Sequence, residues 1–358
     1  MTMNAERTRA LGRSILPYRI FKPSSEALHR LNRLVKNPRI KYAALLLADV
    51  LGMRHLIVRL DAVNACNLRC AMCFFSNPAW RKDHMKGQFS KPDIERLADM
   101  FFSEALQVHI GCSMEPTMFR DYPWLVEIAK RHHVPFVGFS TNGQLLTEVA
   151  FERMASLGLD EITLSTHGVR AETYESMMPG AEFERLLATL AMIDRVRKRL
   201  GATTRLRLNY TICPRNLDEL NGFFEVYGQY RIDTIQIRPI ADFGDTAYTD
   251  KDLTPHLERY NAAVAQMIAA CRTRSIALLA NRIDPTHARP NPAAALYLNG
   301  ILRYLNPNVV WREDFDWRSR DYRAHKRKLG WRRQLLVRAI GRKPASPPPS
   351  HQAAFDVY

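Results

Sequence analysis

Short runs rich in Ile, Val, Leu, Phe and Thr alternate with longer amphipathic stretches through the middle of the chain. The short runs predict six strands, at residues 56–63, 107–111, 134–140, 161–165, 204–212 and 234–240. The amphipathic stretches predict six helices, at residues 91–106, 122–132, 146–157, 181–200, 217–227 and 255–273. Because apolar strands that alternate with helices are typical of parallel sheets, the pattern predicts an α/β fold, either open or curled into a partial (β/α)6 barrel.

The two ends of the chain follow different patterns. Residues 27–35 and 40–53 predict two helices, separated by the helix-breaking pair Asn37-Pro38. After residue 281 the periodicity fades, and only 331–340 predicts a further amphipathic helix. We therefore divide the chain into a basic helical N-terminal extension (1–55), a core (56–280), a basic aromatic C-terminal extension (281–343) and a proline-rich tail expected to be disordered (344–358).

Composition and charge narrow the class of protein. The chain has 358 residues, of which 46% are hydrophobic and 25% charged, as in ordinary globular proteins. No run approaches the ~20 apolar residues of a membrane span, and the start lacks the apolar segment of a secretory signal, so we expect a cytoplasmic protein. The net charge of +16 resides in the two flanks. Residues 1–55 carry eleven Lys and Arg against three Asp and Glu, and residues 301–343 carry thirteen against four.

Three of the six cysteines crowd together directly after the first predicted strand. Cys66, Cys70 and Cys73 have the spacing C-x3-C-x2-C, at the edge of a parallel sheet where active sites gather. Thiolates are soft ligands that suit iron–sulfur clusters or zinc. An electron carrier would use four thiolates, whereas three leave one metal position open for a ligand. The remaining cysteine expected near this face is Cys112, after the second predicted strand.

Two other interpretations of the three cysteines stay open. They could bind zinc together with His84, as in a Cys3His site. They could also be inert, buried thiols that pack like small hydrophobic groups, although the Asn and Arg residues between them make a poor core strand.

The segment V-N-A-C-N-L-R-C-A-M-C-F resembles the signature of the radical S-adenosylmethionine (radical SAM) superfamily. The resemblance implies that Cys66, Cys70 and Cys73 hold one [4Fe-4S] cluster and that SAM binds its free iron. It also implies that Met72 and Phe74 lie near the adenine of SAM.

Further segments resemble other elements of that family. Those that the resemblance places at the SAM site are Gly111, Ser113, Glu115 and Pro116 of G-C-S-M-E-P, Thr141 and Asn142 of T-N-G, Ser165 after the fourth strand, and Arg238 of I-R-P. Glu115 is expected to bind the SAM amino group, since a carboxylate accepts hydrogen bonds from an ammonium. T-N-G is also a turn signal in its own right, and Arg238 is equally suited to a structural ion pair.

The chain departs from the family pattern at several positions. Ser113-Met114 replaces Gly-Gly, His167 replaces an aspartate, and Met178 replaces an arginine. His167 titrates near neutral pH in its ordinary state, so either a catalytic or a structural role is open. The C-terminal part contains no group of cysteines like that of SPASM-type relatives, so we expect a single cluster.

The resemblance implies a reaction class. An external donor such as a flavodoxin or ferredoxin reduces the cluster, SAM is cleaved to a 5′-deoxyadenosyl radical, and the radical abstracts hydrogen from a small metabolite, sugar or peptide. Oxidoreductase, lyase and transferase outcomes are all compatible with this start, and the sequence identifies no catalytic acid or base.

A second hypothesis concerns the basic flanks. Arg332, Arg333 and Arg338 lie beside Trp331, Leu335, Leu336 and Ile340, followed by Arg342 and Lys343. This composition suits peripheral contact with an anionic membrane, and less well contact with nucleic acid. The alternative function is therefore an iron–sulfur sensor or binding module attached to a membrane or nucleic acid through its flanks. A purely structural explanation of residues 331–340 is a solvated helix packed on the core.

Overall fold

The computed structural model describes residues 23–240, 246–250, 252–281, 296–341 and 356–357. Its strands, in chain order, are β1 Leu56–Leu60, β2 Ala105–Ile110, β3 Phe136–Thr141, β4 Glu161–Thr166, β5 Arg205–Ile212, β6 Thr234–Pro239, β7 Ala277–Ala280, β8 Leu302–Asn306, β9 Val309–Val310 and β10 Asp356–Val357. They form one sheet in the order β10-β7-β6-β5-β4-β3-β2-β1-β8-β9. Strands β1 to β7 pair in parallel with their neighbours in chain order, and β8 adds in parallel to β1.

Helices connect the strands and cover one face of the sheet. In chain order they are α1 Ser25–Leu34, α2 Pro38–Val50, α3 Pro78–His84, α4 Lys91–Phe101, α5 Tyr122–Arg131, α6 Glu148–Ser156, α7 Ala171–Met177, α8 Phe183–Leu200, α9 Phe223–Tyr227, α10 Leu257–Thr273, α11 Tyr322–Lys328 and α12 Trp331–Ile340.

The predicted α/β fold with a mostly parallel sheet is confirmed. All six predicted core strands are present, and the predicted helices of the core and of both flanks recur with small shifts at their ends. One predicted helix, 217–227, is divided into a 3-10 segment, Asp218–Gly222, and α9. Strands β7, β8 and β9 and helices α3, α7 and α11 were not predicted. The tail assigned to 344–358 lies outside the described residues, except that the backbone of β10 pairs antiparallel with β7.

The two faces of the sheet differ in chemistry because side chains alternate along each strand. On the outer face, Val58, Val108 and Leu208 are fully buried beneath the helices in a continuous apolar core. The inner face carries polar side chains at the intervening positions, among them Arg59 and His109. The sheet therefore presents one apolar packing surface and one polar surface.

The N-terminal helix closes the end of the sheet opposite the cysteines. Glu26 of α1 accepts hydrogen bonds from Arg205 at 2.9 Å and Thr234 at 2.6 Å, at the starts of β5 and β6. The carbonyl of Pro23 accepts a hydrogen bond from Gln107 near the start of β2. The chain entering α1 is thus attached to three strands at their amino-terminal ends.

Because of this attachment, the free energy of unfolding should decrease as the pH falls into the acid range. Burial acts to raise the pKa of Glu26, but Arg207, Thr234 and Arg205 outweigh it and lower the pKa from 4.5 to about 2. A lowered folded-state pKa contributes stability that is complete above about pH 4.5 and is lost as pH falls toward 2. We expect Glu26→Gln to lower the free energy of unfolding at pH 7 by roughly 2–3 kcal/mol.

Urea denaturation of wild type and Glu26→Gln at pH 7 and at successively lower pH measures this contribution. The difference between the two proteins should shrink below pH 4.5. The control Glu313→Gln changes an exposed carboxylate and should leave the urea midpoint unchanged. A difference that stays constant with pH would contradict the role assigned to Glu26.

The C-terminal extension is attached by a buried arginine inside an aromatic cage. Arg303 on β8 is fully buried, and its guanidinium lies 4.8 Å from the ring centre of Trp311 and 5.5 Å from that of Trp331. Its Nε donates to the Tyr322 hydroxyl at 2.9 Å. The structure also buries Trp331 and Leu335 against α2, which corrects the hypothesis that these two side chains face a membrane.

Candidate functional site

The three clustered cysteines lie on the loop between β1 and α3, at the carboxyl edge of the parallel strands. All three are half-buried. The Leu68 amide donates to Cys66 Sγ at 3.4 Å, and Arg69 donates to the Cys66 carbonyl at 2.9 Å. The loop is also paired with the chain before α8, because Arg69 N donates to the Pro179 carbonyl at 3.0 Å. The loop conformation is thus held by the chain itself.

In this structure the thiol groups of the loop have raised pKa values, which a bound cation would lower. Burial, with smaller contributions from Glu115 and Cys73, raises the pKa of the Cys66 thiol to about 12. Burial also raises the pKa of Cys70, with the other two cysteines adding to the shift. Since metals bind thiolates, a bound cationic centre would supply the charge that reverses these shifts. The site therefore fits a metal group that all three sulfurs share.

The described contacts do not assemble the ligand set of a Cys3His zinc site. The three sulfur atoms do not all lie within 4.8 Å of one another. Tetrahedral zinc with bonds of about 2.3 Å would hold them roughly 3.8 Å apart. His84, the fourth ligand of the zinc interpretation, instead bonds through Nδ1 to the Trp80 carbonyl at 2.9 Å and stacks on the Trp80 ring. The donor set is three thiols without this histidine.

Gly111, directly after β2, lets the backbone near Ser140 and the ring of Pro116 approach more closely than a residue with a Cβ would allow. Its φ is +77°, and a Cβ there would lie 2.3 Å from the Ser140 carbonyl oxygen and 2.6 Å from the Pro116 ring. Gly111 and Pro116, both predicted at the SAM site, therefore shape the loop by packing against each other. Their described contacts are structural.

Glu115 joins three loops beneath the cysteines. Its carboxylate accepts hydrogen bonds from the hydroxyls of Thr141 and Thr117, both at 2.6 Å, and from the Asn142 amide at 2.9 Å. Its own amide donates to the Ala65 carbonyl at 3.0 Å, next to Cys66. Burial raises the pKa of Glu115, and these donors oppose the rise. Glu115 thus holds the T-N-G turn through its carboxylate and the cysteine loop through its backbone amide.

In the described contacts, the T-N-G turn supports the cysteine loop through the side chain of Asn142. Asn142 Nδ2 donates to Asn67 Oδ1 at 2.8 Å, and Asn142 Oδ1 accepts from the Gln144 amide at 2.9 Å. Both ends of the Asn142 side chain are therefore engaged, and the contact to Asn67 reaches the cysteine loop.

The other predicted site residues differ in their surroundings. Met72 is buried, whereas Phe74 stacks on Trp80 with ring centres 5.0 Å apart. The Ser113 amide donates to Asp61 at 3.1 Å. Ser165 and Arg238 lie on the inner face of β4 and β6, near the carboxyl ends of those strands. All the predicted residues thus belong to the loops at this edge or to the strand ends beside them.

His167 is a buried structural imidazole in these contacts. Its Nδ1 accepts a hydrogen bond from the Thr211 amide at 3.1 Å. Burial, with a smaller contribution from Arg238, lowers the pKa of His167 to about 4. The ring is therefore neutral at pH 7, with its proton on Nε2. Of the two roles open from the sequence, the contacts favour the structural one.

Sequence reasoning missed Asp61 as an organiser of the site. Its carboxylate accepts from the Cys112 amide at 2.7 Å and from the Tyr304 hydroxyl at 2.6 Å. Burial raises the pKa of Asp61, and these hydrogen bonds oppose the rise. Cys112 lies on this same face; desolvation of its thiol, helped by the nearby Asp61 carboxylate, raises its pKa to about 12, whereas Arg59 opposes the rise.

Comparison with known families identifies the central segment. The model of the radical SAM superfamily matches residues 62–208. A protein named Probable GTP 3′,8-cyclase from Saccharolobus islandicus is 26% identical over 265 residues, covering 70% of this chain and 75% of the relative. The mycofactocin maturase MftC of Mycolicibacterium smegmatis is 26% identical over 205 residues, covering 57% of this chain and 50% of the relative.

Solved structures support the same fold. SuiB of Streptococcus suis bound to its precursor peptide SuiA superposes with a TM-score of 0.59 at 16% identity, covering 84% of this chain and 68% of SuiB. SuiB bound to S-adenosylmethionine gives a TM-score of 0.55 at 17% identity, covering 70% of this chain and 58% of SuiB. At these identities the likeness concerns the fold.

Proposed function

We propose that this chain, whose residues 62–208 belong to the radical SAM superfamily, holds its cluster on Cys66, Cys70 and Cys73 and acts on a substrate bound at the inner face of the sheet. The cofactors of the family are a [4Fe-4S] cluster and SAM. When bound and reduced, they supply a 5′-deoxyadenosyl radical that abstracts hydrogen from the substrate. The observation that carries the proposal is the loop of three half-buried thiols at the carboxyl edge of the parallel strands.

The chain's own residues would place the cofactors and shield them. Glu115, Thr141 and Asn142 hold the loops together, so the cysteines keep one arrangement. Met72 and Phe74 would supply apolar contact to the adenine, and Glu115 would accept from the SAM amino group. Ser165 and Arg238 lie where SAM and substrate would meet on the polar face.

The substrate is proposed to be a small molecule or a peptide. One sequence relative is named for GTP 3′,8-cyclisation and another for mycofactocin maturation, and SuiB has been seen with a precursor peptide. A flavodoxin or ferredoxin would supply the electron. The alternative is an iron–sulfur sensor, which would hold the same cluster but would not cleave SAM catalytically.

Anaerobic reconstitution with iron and sulfide, followed by dithionite and SAM, tests the enzymatic proposal. Formation of 5′-deoxyadenosine over several turnovers supports an enzyme. A protein that carries the cluster but forms no deoxyadenosine would favour the sensor instead.

We also propose peripheral contact with an anionic membrane through helix α2. The exposed side of α2 is mostly apolar, with Arg39 at its start followed by Ile40, Ala43, Ala44, Leu47 and Val50, and Leu51 directly after the helix is exposed as well. Ile40 and Leu47 are each 57% exposed. The surrounding N-terminal flank is strongly basic, which complements anionic lipid. Among the described helices, none has the length and apolar composition of a membrane span.

Co-sedimentation with phosphatidylglycerol and phosphatidylcholine vesicles tests this contact. Wild type should sediment with the anionic vesicles, and Leu47→Asp should reduce the bound fraction at least several-fold. Val149→Asp, which alters an exposed apolar residue on α6, should not. Self-association by sedimentation velocity, lost in Leu47→Asp without any vesicle binding, would instead assign the surface to a second copy of the chain.

A further inference from the structure

The helix that follows the cysteine loop, α3, lies at the surface and contains no buried residue. Ring stacking holds it against the loop. Phe74, which directly follows Cys73, stacks on Trp80 with ring centres 5.0 Å apart, and Trp80 stacks on His84 with ring centres 4.4 Å apart. His84 is exposed. The stack therefore extends from the cysteine loop to the protein surface.

The chain after α3 turns back along the segment that precedes the cysteines. The Asn64 amide donates to the Gly87 carbonyl at 3.0 Å, and Asn64 Nδ2 donates to the Lys86 carbonyl at 2.8 Å. The Phe89 amide donates to the Ala62 carbonyl at 2.9 Å. This segment and α3 therefore lie beside both ends of the cysteine loop, so a protein bound to them would be next to the proposed cluster.

The charge of this region differs from that of the rest of the core. Residues 62–92 carry five Lys and Arg against one Asp. Outside these residues and the two basic flanks, acidic residues outnumber basic ones. A basic surface beside the cysteine loop of an otherwise acidic core would attract an acidic partner to this loop and orient it during the encounter.

Two exposed lysines supply this charge without a partner of their own. Lys82 lies on α3 and Lys86 follows four residues later, and in the described ranges neither forms an ion pair. The one acidic residue of the region is Asp83. Lys91, in contrast, is already paired with Asp121 at 2.6 Å. Lys82 and Lys86 thus remain available to carboxylates on another protein.

We infer that α3 and residues 85–88 form the docking surface for the acidic protein that reduces the cluster. The inference rests on the proposed function, because it assigns the surface that the electron donor of that reaction uses. In the encounter one electron passes from the reduced donor to the cluster. The donor is oxidised by one electron, the cluster is reduced by one, and no covalent bond forms or breaks. Small contacts guided by charge are typical of electron-transfer complexes.

Calorimetric titration of the reconstituted, unreduced holoprotein with an oxidised flavodoxin of strongly negative net charge tests this surface without turnover. Wild type should bind, and its dissociation constant should rise as salt is added. Lys82→Glu/Lys86→Glu should bind about tenfold more weakly, because two attractions become repulsions. The matched control, Lys198→Glu/Arg333→Glu, makes the same change of charge at exposed positions on α8 and α12 and should bind nearly as wild type does.

Formation of 5′-deoxyadenosine with two reductants separates docking from catalysis. In Lys82→Glu/Lys86→Glu, the concentration of reduced flavodoxin that gives the half-maximal rate should rise by about tenfold, in line with the weaker binding. Dithionite is a small reductant that needs no protein docking surface, so it should support the wild-type rate in this variant.

Other outcomes overturn the inference. Absence of binding by wild type, or equal weakening in the Lys82/Lys86 variant and in its control, would show that this segment is not the docking surface. Unchanged flavodoxin binding, with turnover lost equally under both reductants, would show that the substitutions act on the cysteine loop instead. Wild type that binds flavodoxin through these lysines but forms no deoxyadenosine with either reductant would refute the proposed enzymatic function and leave the docking surface supported.

Discussion

Cys70→Ala should lose formation of 5′-deoxyadenosine at least about a hundredfold, together with most of the reconstituted iron. The reason is that three thiolates are the full protein ligand set of the proposed cluster, and two cannot hold it in place. Mutation of residues that contact the metal ligands typically lowers metal affinity or activity about ten- to a hundredfold. The loss of a ligand itself should have a larger effect. The measurements are iron content, the visible spectrum of the reconstituted protein, and deoxyadenosine formed per chain.

Two other cysteines provide matched controls for this variant. Cys271 of α10 is buried in the apolar core, and Cys271→Ala should keep both the iron and the turnover. Cys112→Ala should keep the iron, because Cys112 is not among the three proposed ligands. Normal turnover of Cys70→Ala, or equal loss of iron in Cys271→Ala, would contradict the ligand assignment.

Lys326→Met should lower the free energy of unfolding by about 3–5 kcal/mol, the usual cost of leaving a buried carboxylate without its cation. Lys326 of α11 contacts Asp49 of α2, and its Nζ lies 3.0 Å from Glu104, which precedes β2. All three side chains are buried. Burial acts to lower the pKa of Lys326, but Tyr322 and the two carboxylates outweigh it and raise the pKa. This ammonium joins the C-terminal extension to the N-terminal helix and the core.

The arginines near Lys326 should not replace it. Arg332 donates to Asp49 at 2.8 Å and Arg323 to Glu104 at 3.1 Å, but both arginine side chains are 60% exposed. Solvent-exposed charges contribute about 0–1 kcal/mol each, so they offset little of the loss. Urea denaturation measures the effect, with Lys328→Met, on the exposed side of α11, as the control. Equal urea midpoints for the two variants would contradict the role of Lys326.

Local sequence patterns were sufficient for the core of the fold and for the location of the site. The strand predictions were confirmed because the outer-face residues of these strands, such as Val58 and Leu164, belong to the buried apolar core. The cysteine cluster was predicted from spacing alone, because its three members lie on one short loop. Glu115 was predicted from its motif, although its hydrogen bonds to Thr141 and Asn142 come from a different loop.

The missed features depend on contacts between distant parts of the chain. Strand β8 escaped prediction because Arg303 is fully buried on its outer face, where periodicity calls for an apolar side chain. Only the surrounding Trp311 and Tyr322 make that position favourable, and they come from later segments. Asp61 was likewise missed as an organiser because its partner Tyr304 is 243 residues away.

The role of His167 illustrates a further limit. A histidine at a strand end is compatible with catalysis or packing, and the sequence does not separate the two. The separation comes from Nδ1, which accepts the Thr211 amide, and from burial that lowers the pKa. Both depend on the neighbouring strand, β5, and on how deeply the ring lies.

The electron paramagnetic resonance spectrum of the anaerobically purified, dithionite-reduced protein, recorded with and without SAM, tests the central claim most directly. The account predicts about four iron and four sulfide per chain and a cluster signal whose g values change when SAM is added. Stoichiometric zinc in place of iron, or a cluster signal that SAM leaves unchanged, would contradict it.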